Sequence, residues 1–152
     1  MPDDRHADEL AVRRLADELF LTTDAKDWHA ARALFADGPI DVDMTSLTGG
    51  EPVRITADEL LAGFRLGLHE EKLSHHMATN SRVTLEGDRA ELVANGYAWN
   101  RVPALPAGHD LWETWGTYRL AFRRTAGGWR ITGFRYDSKL TRGDDAVRTH
   151  TA

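Results

Sequence analysis

Residues 8–22 carry apolar side chains at Val12, Leu15, Ala16, Leu19 and Phe20, the spacing of one buried helical face, while Glu9, Arg13, Asp17 and Glu18 fall elsewhere. The segment Thr22-Thr23-Asp24-Ala25-Lys26 interrupts that pattern. Asp27 then has the position and the acceptor of an N-cap for a second helix over 28–36, with Trp28, Ala31, Leu34 and Phe35 turned inward. Gly38-Pro39 stops it, because glycine accepts a left-handed conformation and proline cannot continue a helix. Ile40 to Met44 alternates as a short strand, and a polar, glycine-rich loop follows to Glu51-Pro52. Thr56 and Glu59 have capping-box spacing ahead of a third helix over 57–69, which buries Leu60, Leu61, Phe64 and Leu68.

From Ser74 onward the period becomes two. Strands over 74–86 and 89–102 flank the turn Glu86-Gly87-Asp88, and Pro103 to Gly108 is a loop. A strand over 111–124 puts Gly116, Tyr118, Leu120 and Phe122 on one face, and Ala126-Gly127-Gly128 turns it into a last strand over 129–139. Gly96, Gly116 and Gly133 mark bend or bulge points within strands. Thr141 to Ala152 reads as a solvated, flexible tail, which leaves one domain over 1–140. Helices first and strands run together predict an α+β fold: three N-terminal helices on a curved, mostly antiparallel sheet that can leave a cavity at one end.

Composition narrows the function classes. A chain of 152 residues, 41% hydrophobic, can bury a core of one domain. Nineteen basic against 24 acidic residues give a formal charge of −5, which argues against a nucleic-acid partner. The absence of cysteine removes disulfides, zinc–thiolate sites and thiol catalysis. No apolar run is long enough to span a membrane and the N-terminus lacks the apolar core of a signal peptide, so a cytoplasmic protein without membrane contact is expected. No Walker or dinucleotide glycine pattern occurs, and no cofactor is expected.

Three segments carry a family resemblance: Thr23-Asp24-Ala25-Lys26-Asp27-Trp28 at the helix junction, Ser74-His75-His76-Met77 through Asn80 leading into Val83 to Ala90, and Gly128-Trp129-Arg130-Ile131. Through them residues 8–139 resemble the NTF2-like superfamily, specifically its SnoaL-like and scytalone-dehydratase-like branch. The resemblance implies a cone-shaped α+β barrel with a deep pocket, often a homodimer through the sheet. It also implies His76 as a general acid–base and Asp24 as its partner. The chemistry is consistent, since an imidazole relays protons near neutral pH and a carboxylate bonded to it orients the ring. The plainer readings are a solvated histidine at a strand start and an aspartate satisfying backbone amides at a helix junction. Two positions depart from the dehydratase pattern: Thr23 stands where a tyrosine is expected, and the second histidine falls near Asn100 or Arg101.

Tyr97, Trp99 and Arg101 are spaced by two and are expected to line one pocket wall, although the opposite phase, Ala94, Gly96 and Ala98, can instead face the helices. Tyr118 can offer a phenol into the cavity, and Arg101 and Tyr118 can hold an oxyanion. Asp41 and Asp43 are lesser candidates for a base, and no spacing supports a metal site. Trp112 can cover the cavity mouth, Trp115 can serve a dimer contact, and His109 lies in a candidate lid loop. The resulting expectation is a cofactor-independent SnoaL-like enzyme using His/Asp acid–base chemistry for dehydration, isomerisation or cyclisation. Its substrate would be a hydrophobic, oxygenated, polyketide-like small molecule. An epoxide-opening hydrolase or cyclase and a non-catalytic small-molecule-binding or dimerisation module are the alternatives.

Overall fold

The computed structural model describes residues 4–152. The first helix, α1 (Asp4–Asp24), buries Val12, Ala16, Leu19 and Phe20, the face its periodicity predicts. It ends in a Schellman-type turn: the amide of Asp27 bonds to the carbonyl of Thr22 and that of Lys26 to Thr23, with Lys26 in the left-handed region at φ 56°. Asp27 caps α2 (Trp28–Ala33) by accepting from the amide of Ala30, and this helix is shorter than its apolar pattern predicts. Leu34 and Phe35 leave the helix to meet Ile131 through backbone hydrogen bonds and a bridge, which is why the apolar run outlasts the helical turns.

The polar loop expected after residue 44 contains more structure than its composition suggests. Strand β1 (Pro39–Asp43) is followed by a single-turn helix α3 (Thr45–Thr48) and by β2 (Val53–Thr56), which pairs antiparallel with β1. Glycines at positions 49 and 50, both at positive φ, supply the reversal between them. The Thr56–Glu59 capping box forms and starts α4 (Ala57–Gly67), which buries Leu60 and Leu61.

Four long strands follow, β3 (Leu73–Glu86), β4 (Arg89–Arg101), β5 (Leu111–Thr125) and β6 (Gly128–Gly143). They complete a six-stranded sheet of order β2-β1-β6-β5-β4-β3, antiparallel except where β1 runs parallel to β6. Register shifts at Thr79/Arg82, Trp115/Gly116 and Ala121/Phe122 interrupt the ladders and let the sheet curve around the helices. Its inner face packs Leu92, Ala94, Leu120, Phe122 and Phe134 against α1 and α4. Gly96 and Gly116 are required by close approach. A Cβ on Gly96 would lie 2.5 Å from the Tyr118 ring, and one on Gly116 would lie 2.2 Å from the carbonyl oxygen of Asp137. The α+β class and the helix-on-curved-sheet arrangement agree with the sequence pattern. No described helix is long and apolar enough to cross a membrane.

The segment after Lys139 is not a solvated tail. Strand β6 continues to Gly143, and α5 (Asp145–Thr149), capped by Asp144, inserts Val147 fully buried against Val102 and Trp112. Val147, with only alanines for apolar company over residues 141–152, leaves no period to read, yet it closes a second small core.

Candidate active site

Asp24 sits in the last turn of α1, where a carboxylate faces the negative end of the helix dipole. Three donors offset that placement. Ser74 donates its hydroxyl to Oδ1 at 2.9 Å, the backbone amide of His76 donates to Oδ2 at 2.7 Å, and Nδ1 of His76 lies 2.6 Å from Oδ1. Burial alone would raise the pKa of Asp24, but these hydrogen bonds and the histidine charge together hold it below the usual aspartate value. Helix end and edge strand are thus joined at one carboxyl group, and Nε2 of His76 is left without a partner among the described residues.

Ser74 and His76 alternate with the exposed Leu73 and His75 on the inner side of β3, and Lys72, just ahead of the strand, is buried as well. His76 borders a cavity of about 410 Å³ between α1, α4 and the sheet. Its apolar wall includes Phe20, Leu60, Phe64 and Phe134. The Phe20 and His76 rings stack at 6.1 Å, and Phe20 also meets Tyr118 at 4.6 Å. Tyr118 lines the cavity as expected. Burial foremost, with the nearby Tyr136 and Asp24, pushes its pKa up, so it is a neutral phenol with a proton to donate. Its hydroxyl makes no hydrogen bond to another described residue, whereas that of Tyr136 is taken by Thr114 at 2.8 Å.

Tyr97, Trp99 and Arg101 do not line this cavity, and the expectation is corrected. The inward phase of β4 is Ala94, Gly96, Ala98 and Asn100. Tyr118 and Tyr136 reach across from β5 and β6 and need that space, so only small residues fit opposite them. On the outer face Tyr97 donates to Glu113 at 2.7 Å, Trp99 stacks on His75 at 5.9 Å, and Arg101 pairs with Asp110 at 2.7 Å. Trp115 lies on that face as well, between Tyr97 and the guanidinium of Arg142. Asp43 is occupied by the amide and hydroxyl of Thr45, and His109 bonds to Asp144 at 3.0 Å. Trp112 does line the cavity, on the side closed by α5. Among the described residues no group of three or more His, Cys, Asp or Glu is arranged to hold a metal ion.

Thr23, Lys72 and Asn100 are among the lining residues that the reading of the pocket wall from sequence did not include. Thr23 and Asn100 are more than nine-tenths buried, and Thr23 Oγ1 and Asn100 Oδ1 have no hydrogen-bond partner. Lys72 is wholly buried. Reading β4 in its small-residue phase finds Asn100. Thr23 was legible only as a departure from an expected tyrosine.

A family model described as SnoaL-like domain matches residues 4–148. No curated protein matches the sequence. Among solved structures, the Kfla4162 protein from Kribbella flavida is 26% identical with a TM-score of 0.88, over 95% of this chain and 99% of that one. A proposed dehydratase of the NTF2-like family from Streptomyces avermitilis superposes with a TM-score of 0.75 at 16% identity, over 89% of this chain and 99% of that one. The hexachlorocyclohexane dehydrochlorinase LinA-type3 from Novosphingobium barchaimii gives 0.71 at 15% identity, over 91% of each chain. The last two likenesses speak to the fold alone.

Proposed function

We propose, on the premise that this chain belongs to the SnoaL-like domain family, that it is a cofactor-independent lyase or isomerase moving one proton on a hydrophobic, oxygenated, cyclic or polyketide-like molecule. The observation that carries this reading is the Asp24–His76 pair. A carboxylate 2.6 Å from Nδ1 keeps the ring proton on that nitrogen and leaves Nε2 bare at the cavity. In an elimination, Nε2 takes the proton from a carbon next to a carbonyl and the C–H electron pair becomes the new double bond. The imidazolium returns the proton to the leaving hydroxyl, which departs as water. In an isomerisation the same proton goes back to a different carbon. Asp24 stabilises the imidazolium between the two steps, and the neutral phenol of Tyr118 and the NH₂ group of Asn100, both residues of the cavity wall, would donate hydrogen bonds to the carbonyl oxygen as it gains charge.

The test is turnover of a panel of cyclic β-hydroxy ketones and matched epoxides by the wild type and by His76→Ala. Water loss from a hydroxy ketone that falls by about 10²-fold or more in the variant, with unchanged near-ultraviolet circular dichroism, supports the mechanism. Equal rates in the two proteins remove it. Turnover confined to the epoxides would indicate ring opening instead, and binding without turnover a non-catalytic receptor.

A further inference from the structure

Lys72 takes no part in the proton transfer, yet it is a wholly buried cation on the cavity wall. Its ammonium has three N–H donors and makes one hydrogen bond, to the carbonyl oxygen of Arg148 at 3.2 Å. Among the described residues no carboxylate pairs with it. The charge that acts on it is of the same sign, from Arg148, itself paired with Asp145; the mutually bonded His69 and His150 lie nearby, and Glu59, the carboxylate on the same cavity wall, is taken up by Thr56. Burial, reinforced by Arg148, brings its pKa down to about 8, which leaves it mostly charged at neutral pH. A buried ammonium without a counter-charge is held at a cost in desolvation that a carboxylate beside it would offset. A neutral donor could hold the Arg148 carbonyl equally well, so that bond alone does not account for a lysine.

The geometry points to Lys72 as the anchor for a carboxylate on the substrate, which makes the preferred ligand of this cavity a hydrophobic ring compound bearing an acid group remote from the reacting carbon. The inference rests on the same cavity being the substrate site. Lys72 and His76 stand four residues apart in the chain, Lys72 at the turn just ahead of β3 and His76 within the strand, and both border the cavity. With the anchor at Lys72 and the base at His76, the anchored group and the reacting carbon are different parts of one molecule. The apolar wall of Phe20, Phe64 and Phe134 lies between the ends of such a ligand. Lys72 would thus set which molecules enter and how they lie, and His76 would act on them.

The experiment compares binding of 2-naphthoate and its neutral counterpart 2-naphthamide by calorimetry at pH 7. The wild type is expected to prefer the acid by about 10-fold or more, the worth of a hydrogen bond to a buried charge. Lys72→Met and Lys72→Gln should bring the preference below about 2-fold while the amide still binds, and His76→Ala should keep it. Either lysine variant suffices if the other melts. No preference in the wild type, or a preference that survives in the folded lysine variant, overturns the assignment and leaves Lys72 as a latch for α5. A preference that follows His76 overturns it too, without touching the acid–base reading. Conversely, a preference lost with Lys72 beside unchanged turnover in His76→Ala would remove the mechanism and keep the anchor.

Discussion

Replacing Asp24 with asparagine changes one oxygen into an amide nitrogen and nothing in volume, so it isolates what the carboxylate does. The native group accepts three hydrogen bonds, two at Oδ1 and one at Oδ2. Asparagine has one acceptor and one donor end, and two orientations compete. With its oxygen on the His76 amide, its NH₂ faces Ser74 and Nδ1. Both can accept: the hydroxyl by rotating, the imidazole by moving its proton to Nε2. With the amide reversed, its NH₂ faces the His76 backbone N–H, and a half-buried donor is stranded at a cost of about 1–3 kcal/mol. The first orientation therefore wins by roughly 5- to 150-fold. It places the ring in the other tautomer, with Nε2 protonated and unable to act as a base. Turnover should fall by about 10²–10⁴-fold, as expected when a triad carboxylate is neutralised, while the fold persists. The direct readout is the ¹⁵N shifts of the His76 ring above neutral pH. Wild type should show a pyridine-like Nε2 and Asp24→Asn a pyridine-like Nδ1. The same tautomer in both proteins would refute the reasoning, whatever the activity does.

Acid unfolding gives a second handle on the same carboxylate. A folded pKa below the unfolded value means that Asp24 contributes stability above about pH 4, lost as pH falls through the folded value. The stability gap between wild type and Asp24→Asn in urea titrations should accordingly shrink between about pH 5 and 2; a gap independent of pH contradicts the shift. Gly96→Ala drives a methyl group into the Tyr118 ring 2.5 Å away. A loss of about 1–3 kcal/mol is expected, with a near-ultraviolet signal changed by the displaced tyrosine, and a neutral result would mean the ring moves freely. Val147→Ala should cost about 1–3 kcal/mol by opening a void against Val102 and Trp112, visible as a red shift of tryptophan emission; no change in melting temperature would return α5 to the status of a solvated tail.

What could be read along the chain was whatever depends on neighbours in sequence. The Thr56–Glu59 box, the Asp27 cap and the inward face of α1 each involve residues within a few turns of one another, and each formed as predicted. The meeting of Asp24 with His76 joins residues 52 apart, and only the family resemblance pointed to it. The phase of β4 was lost because bulky aromatics read as a pocket wall, whereas the bulk comes from Tyr118 on β5 and Tyr136 on β6 and demands glycine and alanine opposite. Strand β2 and helix α5 are too short for periodicity; pairing with β1 and the burial of Val147 define them. Lys72 stands just ahead of β3, outside any period, and its burial is a property of the assembled fold.

The order of the sheet also bears on how the chain can be made. Strand β6 lies between β1 and β5, so the earliest strand has no parallel neighbour until synthesis has passed residue 143. A nascent chain arrested before that point holds two halves of a sheet whose facing edges have nothing to bridge them. The sheet is therefore joined as a late, long-range event, and ribosome-bound intermediates should be protease-sensitive in α1 and β1 until the final strand emerges.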